Sequence, residues 1–276
     1  MPINETNILS RGSVYSAVPQ LWLKSSYSAP HILSGADCTR EGLLSAANSY
    51  IAAQTAGKLD GLTFAANNFT YRENNKVIDI KKGVISQSLK IDLHRSTADT
   101  IACASYTMLI STTGLKPYVL STQLRYIGND TASLTMIDTI AATTGSLFFN
   151  AAQTLKYIQA ESWATITDVS KRSSRETLKM AGDAYLDMWT DAQAADKIPW
   201  GTDCERVEGS RLTKPCGGQL PHGGSAKPNG MRRYVIDETV GSVDVLCSFD
   251  SLGGMPDSHE IRMEEGKVKY VHTVTK

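Results

Sequence analysis

The apolar and small residues of positions 41–54 (EGLLSAANSYIAAQ) and 176–189 (ETLKMAGDAYLDMW) recur at i, i+3, i+4 and i+7. That spacing predicts two helices, each burying one face. Thr39 and Ser174 stand where the N-cap of each helix belongs. After each helix the period changes to two. In the first stretch the alternating runs are 103–112, 117–127 and 133–141, and in the second they are 234–249, 258–265 and 267–275. Period-two runs predict half-buried antiparallel strands. Residues 128–130 and 264–266 read as hairpin turns between them. A helix followed by a meander gives an α+β fold rather than a parallel α/β sheet.

The two stretches also match residue by residue. Ala46, Tyr50 and Ile51 fall on Ala181, Tyr185 and Leu186 at an offset of 135, and Glu73 falls on Glu208 at the same offset. Arg95 and Asp99 fall on Arg233 and Asp237 at an offset of 138, and Asp138 and Thr139 on His272 and Thr273 at 134. Ordered matches at nearly one spacing indicate a tandem duplication, with loop insertions and deletions producing the drift. The expected organisation is an irregular arm over 1–37, a first unit over 38–149, a linker or strap over 150–172, and a second unit over 173–276. Two such units predict a pseudo-dimer within one chain, which could serve as a monomer or pair as a homodimer.

Composition narrows the partners. Lys+Arg and Asp+Glu both total 28, with no basic run, so a nucleic-acid partner is not expected. No apolar run reaches the roughly 20 residues of a membrane helix, so no membrane partner is expected either. Residues 1–37 show no charged start followed by an apolar run, hence no visible signal peptide. The five cysteines include no CxxC pair, which argues against zinc, and no metal or cofactor is expected. Cys204 and Cys216 flank a Gly/Pro-rich loop that a disulfide would close. Cys38 and Cys103 could form a second bridge, leaving Cys247 over; the alternative is five reduced thiols. Acceptor sequons occur at Asn4, Asn68 and Asn129. The chain lacks GxGxxG after a strand, a Walker loop, HExxH and GxSxG.

Three strings are more specific: PWGTDCERVEG (199–209), RRYVIDETVG (232–241) and PDSHEIR (256–262). They resemble a fungal, usually secreted family of unknown function whose halves look like duplicated SnoaL-like (nuclear transport factor 2-like) domains. The resemblance implies two cone-shaped units, each with helices packed on a strongly curved antiparallel sheet, and an extracellular location. It also implies an apolar pocket between helix and sheet that takes a small hydrophobic molecule. The activity that follows is a cofactor-independent cyclase, isomerase or dehydratase of natural-product pathways. A non-catalytic secreted protein that binds a small apolar ligand is the alternative.

Within that frame His272 and His259, on the last two strands, and Asp237 are the expected proton-transfer residues. Alternation puts Tyr270 on the face of His272, as a pocket wall would require. Arg233 lies on the same side of its strand as Asp237, where the two could pair. Trp200, Glu208, Tyr185 and Asp138 complete the expected substrate-binding set. Most of these residues lie in the second unit, so catalysis is expected there.

Overall fold

Thr39 and Ser174 cap helices as their positions predict. The computed structural model describes residues 38–127 and 130–276, and among these are three α-helices: α1 (Arg40–Ala56), α2 (Ala151–Ile158) and α3 (Arg175–Asp187). The Thr39 hydroxyl accepts the Gly42 amide at 3.0 Å, and the Ser174 hydroxyl accepts the Thr177 amide. Each satisfies a donor that the first helical turn leaves open. The arm expected over 1–37, with the Asn4 sequon, lies outside the described residues. So do Gly128 and Asn129 of the expected first turn.

The strands of the first half are β1 (Thr70–Glu73), β2 (Lys76–Val77), β3 (Leu93–Asp99), β4 (Ala104–Ser111), β5 (Tyr118–Ile127) and β6 (Asp130–Thr143). Those of the second are β7 (Trp200–Glu208), β8 (Arg211–Thr213), β9 (Gly230–Asp237), β10 (Ser242–Phe249), β11 (Met255–Glu264) and β12 (Lys267–Thr275). The sheets run β2-β1-β6-β5-β4-β3 and β8-β7-β12-β11-β10-β9, the same order twice. The fold is α+β, built from two repeated units. Within each meander the pairing is antiparallel, but β1 runs parallel to β6 and β7 parallel to β12. A parallel pair needs a long crossover, and here the whole meander supplies it.

The run 234–249, expected as continuous, is two strands. Between β9 and β10 the Gly241 amide bonds the Glu238 carbonyl, and Gly241 sits at φ +67°. A Cβ there would lie 2.3 Å from the Met263 carbonyl oxygen, so only glycine turns this corner. The turn at 264–266 has Glu265 and Gly266 both at positive φ, the geometry of a two-residue hairpin.

Each sheet has a helix-covered face and a face turned to the other sheet. Leu43 and Tyr50 of α1 pack with Leu109, Leu120, Leu124 and Ile137 of its sheet, and Leu178 and Tyr185 of α3 with Val245, Ile261, Met263 and Val271. Tyr106, Met108, Ile140, Val235, Leu246 and Val274 form a third core between the sheets, closed at one end by α2 residues Ala151 and Ile158. Strands β4 and β10, each next to an edge strand, are therefore buried on both faces. Disulfides link Cys38 to Cys103 and Cys204 to Cys216, and Cys247 is a buried free cysteine.

The inter-sheet face is held by reciprocal ion pairs. Arg40, at the start of α1, meets Asp237 at the end of β9, while Arg175, at the start of α3, meets Asp99 at the end of β3. The backbone follows the same exchange. Ala98 N–H donates to Asp237 Oδ2 and Ile236 N–H to Asp99 Oδ2, both at 2.9 Å. In the next layer Arg233 pairs with Asp138, and its counterpart Arg95 meets His272, which stands at the place of Asp138, together with Glu260. Each half lends the other what the other lends it, the relation of an isologous interface.

Candidate functional site

The ionisable residues singled out from the sequence fall into two places. The first is the inter-sheet face. His272 and Tyr270 do share a face of β12, and Glu161 and Trp163 cover that face. His272 is buried between two carboxylates, with Nε2 2.8 Å from Glu161 Oε1 and Nδ1 3.1 Å from Glu260 Oε2. Arg95 reaches the same Glu260 and lies 3.5 Å over the Trp163 ring, and Trp163 Nε1 bonds the other Glu161 oxygen. Burial disfavours the imidazolium, but the two carboxylates outweigh it and raise the His272 pKa. Burial likewise opposes the Glu260 charge, and Arg95 and His272 overcome it, lowering that pKa. The result is a buried, charged cluster, the counterpart of Asp138 between Arg72 and Arg233 in the first half.

Arg233 and Asp237, on the same side of β9, do not pair with each other. Their partners, Asp138 and Arg40, belong to the other half. Docking of the two sheets puts an opposite charge directly across from each, closer than the neighbour along the strand. A polar cleft of about 240 Å³ opens beside this face, lined by Glu161, Tyr270, Glu205, Lys214, Lys269 and Tyr157.

The second place is the helix-covered face of the second half, which gathers His259, Tyr185, Trp200 and Glu208. β11 alternates, so Asp257 and His259 both point under α3. His259 Nε2 lies 2.8 Å from Asp257 Oδ2, with both side chains almost wholly buried. The His259 ring packs among Tyr185 (5.1 Å between ring centres), Phe249 (5.7 Å) and Trp189 (6.5 Å). Cys247, the register partner of Asp257 on β10, turns the same way. The Tyr185 hydroxyl donates to Glu208 at 3.2 Å, and Glu208 lies 3.3 Å from Arg206. Burial, followed by the Glu208 charge, pushes the Tyr185 hydroxyl well above its usual range.

Rigid supports hold these groups. Arg206 also donates to the carbonyls of Cys216 and Gly218, so the disulfide-closed loop fixes it. Trp200 lies edge-on to Tyr185 at 6.3 Å, with its indole N–H on the Ala195 carbonyl. Thr275 and the Ser258 amide both bond Asp257 Oδ1. Asp257 Oδ2 and both His259 ring nitrogens are left without a well-aligned hydrogen bond. A buried His–Asp contact of this kind can take up or release a proton inside an aromatic-walled site.

Among the described residues the first half has no such group. Register places Thr122 of β5 where β11 has His259, Leu120 where it has Asp257, and Leu109 of β4 where β10 has Cys247. There the Tyr50 hydroxyl bonds Thr122, and Glu73 accepts from Tyr71. Asp257, Cys247, Glu161 and Glu260 were not singled out from the sequence. For Asp257 the signal was present, since Asp-x-His on a strand puts both side chains on one face.

Among the described residues no helix is long and apolar enough to cross a membrane. A comparison with curated proteins gives no match. Residues 171–275, which span α3 to β12 and hold this second site, match a family described as a domain of unknown function, DUF8021.

Proposed function

We propose that the second half carries a proton-transfer site for a small, largely apolar molecule, with an isomerase- or lyase-type reaction such as cyclisation or dehydration. The observation that supports it is the 2.8 Å His259–Asp257 contact, buried under α3 with aromatic side chains around it and with neither His259 nitrogen nor Asp257 Oδ2 in a well-aligned hydrogen bond. His259 exchanges the proton with the substrate, Asp257 orients the ring and balances its charge, and Tyr185 with Glu208 positions a substrate oxygen. Trp189, Phe249 and Trp200 supply the apolar wall. This half would then be a SnoaL-like cone with the reaction inside it, and the first half a related cone kept as scaffold. The two disulfides support an oxidising, extracellular setting.

The test works without the natural substrate in hand. A panel of small cyclic ketones and enones is incubated with the protein in deuterated water. Mass spectrometry then reads exchange at carbons next to the carbonyl. The expected result is exchange above the buffer rate that His259→Gln lowers by about 100-fold or more, the usual scale of acid–base catalysis. Exchange unaffected by His259→Gln overturns the assignment. Tight binding with no exchange in any compound favours the sequestering protein.

A further inference from the structure

We infer that Cys247, Asp257 and His259 form a binding site for a soft divalent metal ion of the zinc type. The three residues come from adjacent strands, and one donor atom of each lies within 4.8 Å of the other two. Thiolate, imidazole and carboxylate together select zinc or cobalt over magnesium or calcium, which prefer oxygen alone. In a tetrahedral zinc site the donor atoms stand roughly 3.3–3.6 Å apart, from bond lengths of about 2.0–2.3 Å. The present donor atoms lie within 4.8 Å of one another, so binding would draw Cys247 Sγ toward the other two. The His259–Asp257 contact would open by about half an ångström.

Four features point to a ligand rather than to packing. Asp257 Oδ2 and both His259 ring nitrogens are buried without a well-aligned hydrogen bond, a cost that native interiors usually avoid. The other Asp257 oxygen is already held by Thr275 and the Ser258 amide, which aims Oδ2 at the cluster. Such outer hydrogen bonds orient the carboxylate ligands of metal sites. The aromatic rings around His259 fix its plane. Cys247 is the thiol left after both disulfides have formed.

Binding exchanges the thiol proton, released to solvent, for an Sγ–metal bond. Three protein ligands leave one tetrahedral position for water or a small ligand. The same two side chains form the proposed acid–base pair, so a bound ion would displace the proton from it. The inference itself rests on the donor atoms and not on that reading.

The experiment is a titration of the full chain with cobalt(II), added to the folded protein and, separately, present during refolding. The expected result is one equivalent bound with a thiolate-to-cobalt charge-transfer band in the near ultraviolet. Zinc should displace that band. Cys247→Ser should abolish it, and His259→Gln should weaken binding by about 10-fold or more. Absence of the band under both conditions overturns the inference, as does unchanged affinity in His259→Gln. If neither variant folds, the wild-type band still decides, because the chain has five cysteines and four are in disulfides. A protein that shows the band but no proton exchange removes the acid–base reading and leaves the metal site standing.

Discussion

Arg175 donates one guanidinium nitrogen to each carboxylate oxygen of Asp99, at 2.7 and 2.8 Å, across the boundary between the two halves. Asp99 is buried and also accepts the Ile236 and Ala102 amides. Asp237 stands in the mirrored position, with Arg40, Ala98 N–H and Thr239 N–H. Removing the charge of either carboxylate leaves a half-buried arginine and a buried amide without their partner. Asp99→Asn and Asp237→Asn should each lower unfolding stability by about 2–4 kcal/mol, read from the urea midpoint. A loss under about 0.5 kcal/mol, the size of an exposed pair, would mean that these contacts do not hold the halves together.

His272 predicts a pH dependence with a definite sign. Its folded pKa is raised above the ordinary 6.5 by Glu161 and Glu260, against the effect of burial. The stability it contributes is fully present below that ordinary value and is lost as pH climbs through the raised one. His272→Gln should flatten this alkaline decline in thermal-melt profiles. Glu260 acts in the opposite sense. Its folded pKa is depressed, so its contribution is lost as pH falls below the usual carboxylate range. An unchanged alkaline limb in His272→Gln would show that the imidazolium is not the titrating group.

The two disulfides should differ in weight. Cys204–Cys216 closes a separation of 12 residues and Cys38–Cys103 one of 65. In the chain-entropy view their removal as Ala pairs should cost about 3 and about 4 kcal/mol respectively. Differential scanning calorimetry of the two double variants would check the order. Peptide mapping without reductant should recover both linkages, and free thiols at Cys204 and Cys216 would contradict the closed loop.

Gly182 faces the sheet where α3 packs tightly on it. A Cβ there would stand 3.0 Å from a Val245 methyl and 3.5 Å from a Val243 methyl. Gly182→Val should therefore destabilise by roughly 1–3 kcal/mol through overpacking. It should also shift Tyr185, one turn further along the helix, and so alter near-ultraviolet circular dichroism. A neutral or stabilising effect would mean that α3 can move away from the sheet.

Much of the fold was legible because its signals are local. The caps at Thr39 and Ser174, the repeat offsets, the β12 boundaries and the two cysteine pairs each need only nearby residues or simple spacing. The reach of β9 and β10 was overestimated because Glu238–Gly241 reads as strand until Gly241 is seen to need positive φ. The faces were the harder part. β4 and β10 are buried on both sides, so their composition does not mark which side meets a helix. Tyr270 and His272 were rightly placed together, but alternation cannot say what covers them. Arg233 and Asp237 look like partners along one strand, yet each finds its counter-charge on the other half. The partner of His272, Glu161, lies 111 residues away in a segment with no regular structure. The cluster around His259 was only half visible. His259 was noticed and Asp257, two residues before it on the same strand, was legible from alternation, but Cys247 reaches them through strand register, which no short motif encodes.

The reciprocal clamps have an evolutionary consequence. Two separate identical subunits must find each other by diffusion, and any change to one is a change to both. A chain that carries the self-complementary patch twice meets itself at a fixed local concentration, however dilute the solution. Its association no longer depends on expression level, and its two interiors are free to drift apart. The residues of the clamp have stayed alike, Arg40 with Arg175 and Asp99 with Asp237, while beneath the helices Thr122 and Leu109 face the places of His259 and Cys247. Linkage has let the halves keep a common grip while the side chains behind it diverge.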